Sequence, residues 1–345
     1  MSRILRAKWL PLLVATVVGG IVLGIETRSF GGSFNVYVIL QTAAFDAVVG
    51  LAQMVVLAVG DMSLAVGGIG GLVTIAIGNL VDVHHWPVGI ALVVGLLLGT
   101  LCGVVNGVVI ARTQLSGFIV TLATGSAFTG IAYGVTSAIP YSSVPSSIVT
   151  LSQGRASFFP YLLLVAIAAT ALVGAALRWL PDGRTVLAVG GNRDAATLSG
   201  LSRTRALVIA HGSSGLLAGV AAVMYMGVLQ SATPATGTDW LIISFAVPII
   251  GGTALTGGEA SSVGGLVAAV VLATINDALI VLNVNTNAVE MAEGLLILAA
   301  VLAGQVGRLA RLQGQARGAG RSTPRRLPPS DPGTSAGLGL PPVAR

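Results

Sequence analysis

Charged side chains are scarce in this sequence. Asp, Glu, Lys and Arg make up only 9% of the 345 residues, whereas 54% are hydrophobic; a typical soluble domain carries about 25% charged residues. This composition excludes an ordinary soluble fold and predicts an all-α, multi-pass membrane protein. The net charge of +6 is better explained by arginines on cytoplasmic loops than by nucleic-acid binding.

The residues that many enzymes need are also missing. Cys102 is the single cysteine, so no intrachain disulfide can form, and no His, Cys or carboxylate cluster has metal-ligand spacing. There is no phosphate loop and no nucleophile elbow. Residues 251–258 look like a phosphate cradle, but they follow an apolar run instead of a strand, and no lysine follows them. The chain is predicted to have no catalytic residue, cofactor or metal of its own.

Long apolar runs are plentiful. A membrane-spanning helix needs about 20 apolar residues, and ten runs approach that length: 9–25, 36–59, 63–82, 88–110, 116–135, 159–178, 206–229, 240–256, 263–282 and 288–306. The first resembles a signal peptide without a cleavage pattern, so it is interpreted as an uncleaved span. Two runs are predicted to be broken, because 36–59 leads into Gly60-Asp61 and 240–256 contains Pro248 and then Gly251-Gly252.

The positive charges predict the orientation. With ten spans and a cytoplasmic N-terminus, only Arg28 and Arg155 of the 18 Lys and Arg residues lie outside, as the positive-inside rule requires. Residues 1–8 are then a cytoplasmic N-terminus and 9–306 the transmembrane domain. Residues 307–345 form a basic cytoplasmic tail that is too poor in apolar residues to fold, and its arginines can touch lipid head groups.

A short polar segment, residues 187–201, separates two apolar runs on the predicted cytoplasmic side. Asn192 can cap a helix, Asp194 suits the positive helix end, and Gly200 can terminate the helix. Between them lie good helix formers: Ala195, Ala196 and Leu198. A helix of about two turns is predicted, which on these residues alone is equally a docking element or an ordinary loop helix.

Six polar residues inside the predicted spans form two sets: Thr42, Asp46 and Gln53 in the second run, and Thr274, Asn276 and Asp277 in the ninth. Ionisable groups in the membrane are costly and usually face a cavity or a partner. Asp46, Gln53, Asn276 and Asp277 are therefore predicted to line a path for a polar solute. Hydrogen bonding between helices is the alternative, and it is favoured for Thr42.

Several stretches resemble one family. Residues 106–111 read Asn-Gly-Val-Val-Ile-Ala and 118–122 read Phe-Ile-Val-Thr-Leu, Gly190-Gly191-Asn192 precedes Leu198-Ser199-Gly200, and 251–258 read Gly-Gly-Thr-Ala-Leu-Thr-Gly-Gly. In this order, over about residues 34–306, they are similar to the permease subunit of bacterial ABC importers for ribose, xylose, galactose and related monosaccharides. The last motif is the most specific.

The resemblance implies a transport subunit in the bacterial inner membrane. It implies that residues 180–205 are a coupling loop seated in a separate ATP-binding cassette subunit, which binds ATP and Mg. The residues that carry this role are Asn192, Arg193, Asp194, Ala195, Ala196, Leu198, Ser199 and Gly200. A glycine-rich loop would serve as a hinge or seat beside it, with close packing as an equal alternative: Gly251, Gly252, Thr253, Gly257, Gly258 and Glu259.

Further partners follow from the same resemblance. An extracytoplasmic binding protein would deliver the solute, and a second permease copy or a sister permease would complete the pore. A permease for branched-chain amino acids or nucleosides remains an alternative within the superfamily. A self-sufficient secondary transporter is an alternative of another class; it predicts an inverted repeat, and no clear repeat is visible.

The chain also departs from the family pattern. Many members have Glu where this chain has Arg193, and Lys or Arg where it has Glu259. We hypothesise that the two loops meet and that an ion pair has exchanged its signs, with two unrelated solvated charges as the alternative. Ser63 stands where the family usually has Asp, and Asp61 lies two residues earlier.

Overall fold

The computed structural model describes residues 19, 20, 24, 30–285, 288, 291, 294, 295 and 298. These residues form eleven helices and one minimal hairpin: α1 (Ser33–Ala58), α2 (Val66–Gly78, continued by a π-helical turn over Asn79–Val83), α3 (Val88–Thr113), α4 (Gly117–Thr136), α5 (Ser146–Gln153), β1 (Arg155–Ala156), β2 (Phe159–Pro160), α6 (Tyr161–Trp179), α7 (Pro181–Gly191), α8 (Arg193–Leu198), α9 (Arg203–Leu229), α10 (Trp240–Ile250) and α11 (Ser262–Val281).

Seven of these helices are long and apolar enough to cross a membrane, namely α1, α2 with its π-helical turn, α3, α4, α6, α9 and α11. Each corresponds to a predicted span, and their ends differ from the predicted ends by three residues or fewer. The predicted spans 9–25 and 288–306 fall largely, and the N-terminus 1–8 and tail 307–345 entirely, outside the described residues.

The predicted run 240–256 is not a simple span. Helix α10 ends at Ile250 after 11 residues, about 16 Å of helix, and Gly251 and Gly252 turn the chain away. The break after α1 is also present, because residues 59–65 are not helical. Both predicted interruptions are therefore confirmed.

Helix α9 packs along α3 because both present small residues at the contact. Gly99, Gly103 and Gly107 recur every fourth residue on α3, and a Cβ on Gly103 would overlap the His211 carbonyl, 2.8 Å from its carbon. Such small-residue spacing lets membrane helices approach closely. Most residues of α1 and α9 are buried by the other helices, whereas fewer than a third of the residues of α3, α4 and α6 are buried.

The connecting loops gather into two groups. In one, Tyr141 and Ala232 exchange backbone hydrogen bonds of 2.9 and 2.8 Å, and the Asn79 amide donates to the Tyr141 hydroxyl at 2.8 Å. The other brings together Gly60 and the glycine pairs at 190–191 and 257–258. The first group contains loops predicted to be outside and the second loops predicted to be inside.

The sequence did not predict α5 and the β1–β2 hairpin, which lie between the end of α4 and the beginning of α6. In the hairpin, Arg155 pairs with Pro160 and Ala156 with Phe159. The all-α prediction is thus correct apart from these two strands of two residues each. Strands this short give no detectable alternation of polar and apolar residues in the sequence.

Candidate functional site

Helix α8 lies at the surface and is closed at both ends as the sequence predicted. The Asn192 side chain accepts from the Ala195 N–H at 3.0 Å. At the other end Gly200 has φ +78°, and its N–H donates to Thr197 while Leu201 donates to Ala196, each at 3.0 Å. These are the paired bonds of a Schellman motif, which needs the left-handed conformation that glycine supplies.

The exposure of α8 suits a docking element. Ala196 alone among its six residues is buried, and Leu198 is 91% exposed. Single exposed apolar side chains are common on protein surfaces, so this exposure leaves α8 accessible to a partner without identifying one. The role of residues 192–200 in coupling nevertheless stays a prediction.

Two loops and the end of α7 meet beside α8, and we call Gly60, Gly190, Gly257 and Gly258 the glycine junction. The Gly258 N–H donates to the Ala58 carbonyl at 3.0 Å. A Cβ on Gly257 would lie 2.7 Å from the Gly60 Cα, and one on Gly190 would lie 2.7 Å from the Gly258 nitrogen. Backbone therefore packs directly on backbone, which leaves no room for side chains here.

The glycine-rich loop reaches this junction from α10 in a compact turn. Gly252, Gly257 and Gly258 have φ values of +91°, +86° and +81°, which L-residues rarely adopt. Thr253 donates its N–H to the Pro248 carbonyl at 2.9 Å. A Cβ on Gly251 would lie 2.5 Å from the Gly265 nitrogen, so the turn is also pressed against α11.

Arg193 and Glu259 lie in the two loops that meet, as the sign-exchange hypothesis requires. The guanidinium of Arg193 donates to the Gly60 carbonyl at 3.2 Å, and the Glu259 carbonyl accepts from the Ala254 N–H at 3.1 Å. Arg193 thus ties α8 to the segment that follows α1. An ion pair between Arg193 and Glu259 stays a prediction.

Two of the four residues predicted to line a solute path, Asp46 and Asp277, lie at different heights along α1, and the predicted path itself stays a prediction. Asp277 accepts from the Asn35 amide at 2.5 Å, near the beginning of α1, whereas Asp46 lies eleven residues further along that helix, about 16 Å away by the helical rise. Asp46 is buried and Asn276 half-buried. The structure therefore separates the two carboxylates.

Gln53 is fully buried, and its amide, oriented to satisfy both groups, donates to the Ser63 carbonyl at 2.9 Å and accepts from the Ser63 N–H at 3.3 Å. A side chain engaged on both atoms with backbone is a tie between segments. This geometry favours the hydrogen-bonding alternative for Gln53.

A groove elsewhere in the fold combines hydroxyl groups with apolar side chains and backbone. Its volume is about 490 Å³, within the range of roughly 300–1,000 Å³ that small-molecule sites occupy. Its walls are formed by helices α2, α4 and α10 and by the residues that precede α2 and α10. Six hydroxyl-bearing residues line it: Ser63, Ser126, Thr129, Tyr133, Thr238 and Ser244. Within the part of the chain that the structure describes, no lining side chain carries a formal charge.

The sequence reasoning missed this groove. Ser126, Thr129 and Tyr133 recur at three- and four-residue spacing on α4, a helical stripe that was visible in the sequence. The polar residues singled out in the sequence, such as Thr42 and Thr274, lie on other helices. Several of the groove hydroxyls satisfy their donor locally, as when Ser244 donates to the Leu241 carbonyl at 2.8 Å, which leaves acceptor capacity toward the groove.

The sequence did not predict a contact between His211 and Asp61. His211 of α9 is 1% exposed, and its Nε2 lies 3.2 Å from an Asp61 carboxylate oxygen. Asp61 also rests against the first residue of α4, since a Cβ on Gly117 would overlap its carboxylate. Among the described residues, no group of three or more His, Cys, Asp or Glu side chains could hold a metal ion.

Residues 10–301 match the family described as "branched-chain amino acid transport system / permease component". The chain belongs to this permease family. The match covers all the elements above, so the permease is a membrane transport component and not an enzyme.

Curated relatives of the permease are sugar permeases. The ribose import permease of Bacillus subtilis is 29% identical over 284 residues, 82% of this chain and 88% of that protein. The fructose import permease of Rhizobium meliloti is 29% identical over 298 residues, 84% and 82% of the two chains. The L-arabinose ABC transporter permease of Azospirillum brasilense is 30% identical over 274 residues, 79% and 80%. No solved structure matches the permease significantly.

Proposed function

We propose that this permease forms the path for a monosaccharide or a similar neutral polyol in an ATP-driven importer. The observation that carries the proposal is the groove between α2, α4 and α10, which offers hydroxyls and no charged side chain. Hydroxyl groups exchange hydrogen bonds with a polyol easily and hold it weakly, so the solute passes without being trapped. The relatives for ribose, fructose and arabinose support the same chemistry.

The absence of charge in this groove also weighs against the amino-acid alternative. A zwitterion needs oriented helix ends or charged groups to replace its hydration. Asp46 and Asp277, which left that alternative open in the sequence, lie elsewhere, and Asp277 is held by Asn35.

The proposed topology has ten spans with both termini in the cytoplasm. The two loop groups support it, because loops assigned to the same side by charge meet each other, as Tyr141 and Ala232 do. Arg205 and Asp182, both on the proposed cytoplasmic side, also form an ion pair of 2.8 Å. A transmembrane domain over 9–306 and a cytoplasmic tail over 307–345 complete this arrangement.

The proposed partners follow from the same surfaces. An ATP-binding cassette subunit, carrying ATP and Mg, docks on α8, with Leu198 as an apolar contact. An extracytoplasmic binding protein delivers the solute on the opposite side. A second permease copy or a sister permease covers the open side of the groove, which the single chain leaves accessible along α4.

Uptake by proteoliposomes tests this function. The permease is reconstituted with its ATP-binding subunit and binding protein, and radiolabelled ribose, arabinose and fructose are compared with leucine and uridine. We expect ATP-dependent uptake of at least one sugar and none of leucine or uridine. Uptake of leucine alone would contradict the proposal.

A matched pair of variants on α4 tests the groove itself. Ser126→Leu fills the groove, whereas Ala127→Leu adds the same side chain at an exposed position that does not line it. We expect S126L to lower sugar uptake at least tenfold and A127L to retain it. Equal uptake by both variants would show that the groove is not the path.

A further inference from the structure

Residues 59–65, the connecting segment, join α1 to α2 without helical structure. Every residue of the segment is buried or half-buried, so protein contacts must satisfy most of its backbone groups. Gly60, near its beginning, contacts α8, and Ser63 and Leu64, near its end, line the groove.

The beginning of the connecting segment is held by α8. Arg193, the first residue of α8, donates to the Gly60 carbonyl at 3.2 Å. Gly60 has φ +77° and no space for a side chain, because a Cβ would lie 3.1 Å from the Thr256 carbonyl oxygen. A displacement of α8 therefore pulls on Gly60 directly.

The middle of the segment is pinned between two helices. Asp61 receives a contact of 3.2 Å from Nε2 of His211 in α9 and accepts from the Met62 N–H at 2.9 Å. On its other side the carboxylate rests on Gly117 at the first turn of α4. Since a carboxylate can only accept, Nε2 carries the proton in this contact.

The end of the segment forms part of the groove. Ser63 and Leu64 both line the groove. Ser63 is held by Gln53, and the Leu64 N–H donates to the Thr121 hydroxyl of α4 at 2.9 Å. From Gly60 to Leu64 the chain advances four residues, at most about 14 Å when extended.

Space for movement lies beside the segment. A second cavity of about 380 Å³ is lined by Gly60, Asp61 and Met62, by Ile110 and residues 114–118 around the beginning of α4, and by Arg193 and Arg203. The segment is thus bonded at three points yet unpacked on one flank.

We propose that the connecting segment transmits movement of α8 to the solute groove, with Asp61 and His211 as positioning residues that act as its fulcrum. The proposal rests on the proposed function, because it takes α8 as the docking site of the ATP-binding subunit and the groove as the path. Contiguous contacts do not by themselves demonstrate coupling, so the test measures coupling directly.

The first comparison uses two glycines of α4 in the reconstituted complex. A Cβ on Gly117 overlaps the Asp61 carboxylate, whereas a Cβ on Gly134 meets nothing within 4 Å. We expect Gly117→Ala to keep ATP hydrolysis stimulated by the loaded binding protein but to lower the sugar imported per ATP at least fivefold. Gly134→Ala should match the wild type in both.

The second comparison replaces His211. Glutamine can donate from nearly the same position as Nε2, and leucine cannot. We expect His211→Gln to retain most of the sugar imported per ATP and His211→Leu to lose it. An unchanged ratio in G117A and H211L, or H211Q no better than H211L, would overturn the proposal and leave a structural role only.

A fluorescence measurement that needs no sugar separates the transmission proposal from the proposed transport function. Thr238→Cys, in a Cys102→Ala background, carries an environment-sensitive fluorophore in the groove. We expect ATP binding to change its fluorescence in the otherwise wild-type protein and in H211Q but not in H211L, and equal responses would overturn transmission. Wild type that imports no sugar but shows this pattern would contradict the proposed function alone. If G117A does not assemble into the complex, the comparison of H211Q with H211L tests the proposal.

Discussion

Replacing Gly190 by alanine tests the glycine junction most sharply, because its neighbour Gly191 provides the control. A Cβ on Gly190 would lie 2.7 Å from the Gly258 nitrogen and closer still to the Ala58 carbonyl oxygen, whereas a Cβ on Gly191 meets only the Gly258 Cα at 3.8 Å. Contacts between a non-bonded carbon and a carbonyl oxygen normally begin at about 3.3 Å. The end of α7 must therefore separate from the glycine-rich loop in G190A, and it need not move in G191A.

The expected cost follows from that separation. Forced overpacking costs about 1–3 kcal/mol. The Gly258 N–H to Ala58 bond of 3.0 Å shares the crowded oxygen, and losing it costs about 1 kcal/mol more. Alanine in place of a helical glycine returns about 0.5–1 kcal/mol. The clash dominates, so we expect G190A to be destabilised by about 2 kcal/mol, and G191A to stay within about 0.5 kcal/mol of the wild type.

Thermal unfolding of the purified protein in detergent measures the difference. A loss of about 2 kcal/mol lowers Tm by several degrees, and ATP-driven uptake should fall in parallel because the junction supports α8. Equal Tm values for G190A and G191A would refute the close backbone packing. A lower Tm with full uptake would refute its connection to α8.

Three other substitutions follow from the same structure. Leu198→Asp should weaken retention of the ATP-binding subunit in a pull-down at least tenfold and leave the Tm of the isolated permease unchanged, because the side chain is 91% exposed; a lower Tm would contradict this. Gln53→Leu should cost about 2 kcal/mol, since it leaves two Ser63 backbone groups unpaired, and a neutral result in the unfolding assay would dismiss the tie. Asn106→Leu should be neutral or stabilising, because the buried amide has no partner among the described residues, and a large fall in Tm would show that it is bonded.

The helical spans and their interruptions were predictable because their signals are local. Runs of apolar residues predicted ten spans, of which seven are membrane-length helices among the described residues, and Pro248 with the following glycines predicted the end of α10. The caps of α8 at Asn192 and Gly200 likewise depend on residues within one turn. Family motifs at 190–200 and 251–258 then indicated which loops would matter.

The site was harder to predict, because the helices are apolar on nearly every side. A helix without an amphipathic face gives no sign of which side meets which neighbour. The partners of the polar residues predicted to line a path were not visible in the sequence, since Gln53 bonds Ser63 and Asp277 accepts from Asn35. The hydroxyl stripe on α4 was visible as helical spacing, but which helices face it was not.

By itself, the sequence determined that this protein is a membrane permease, where its seven long described helices begin and end to within three residues, and which short helix lies exposed between two of them. Only the tertiary structure decided the partners of its polar groups. Asp61 and His211 are 150 residues apart, and Asn35 and Asp277 are 242 apart. The rotation and crossing of packed helices set such contacts, and glycine positions permit those crossings without naming the side chains that will meet.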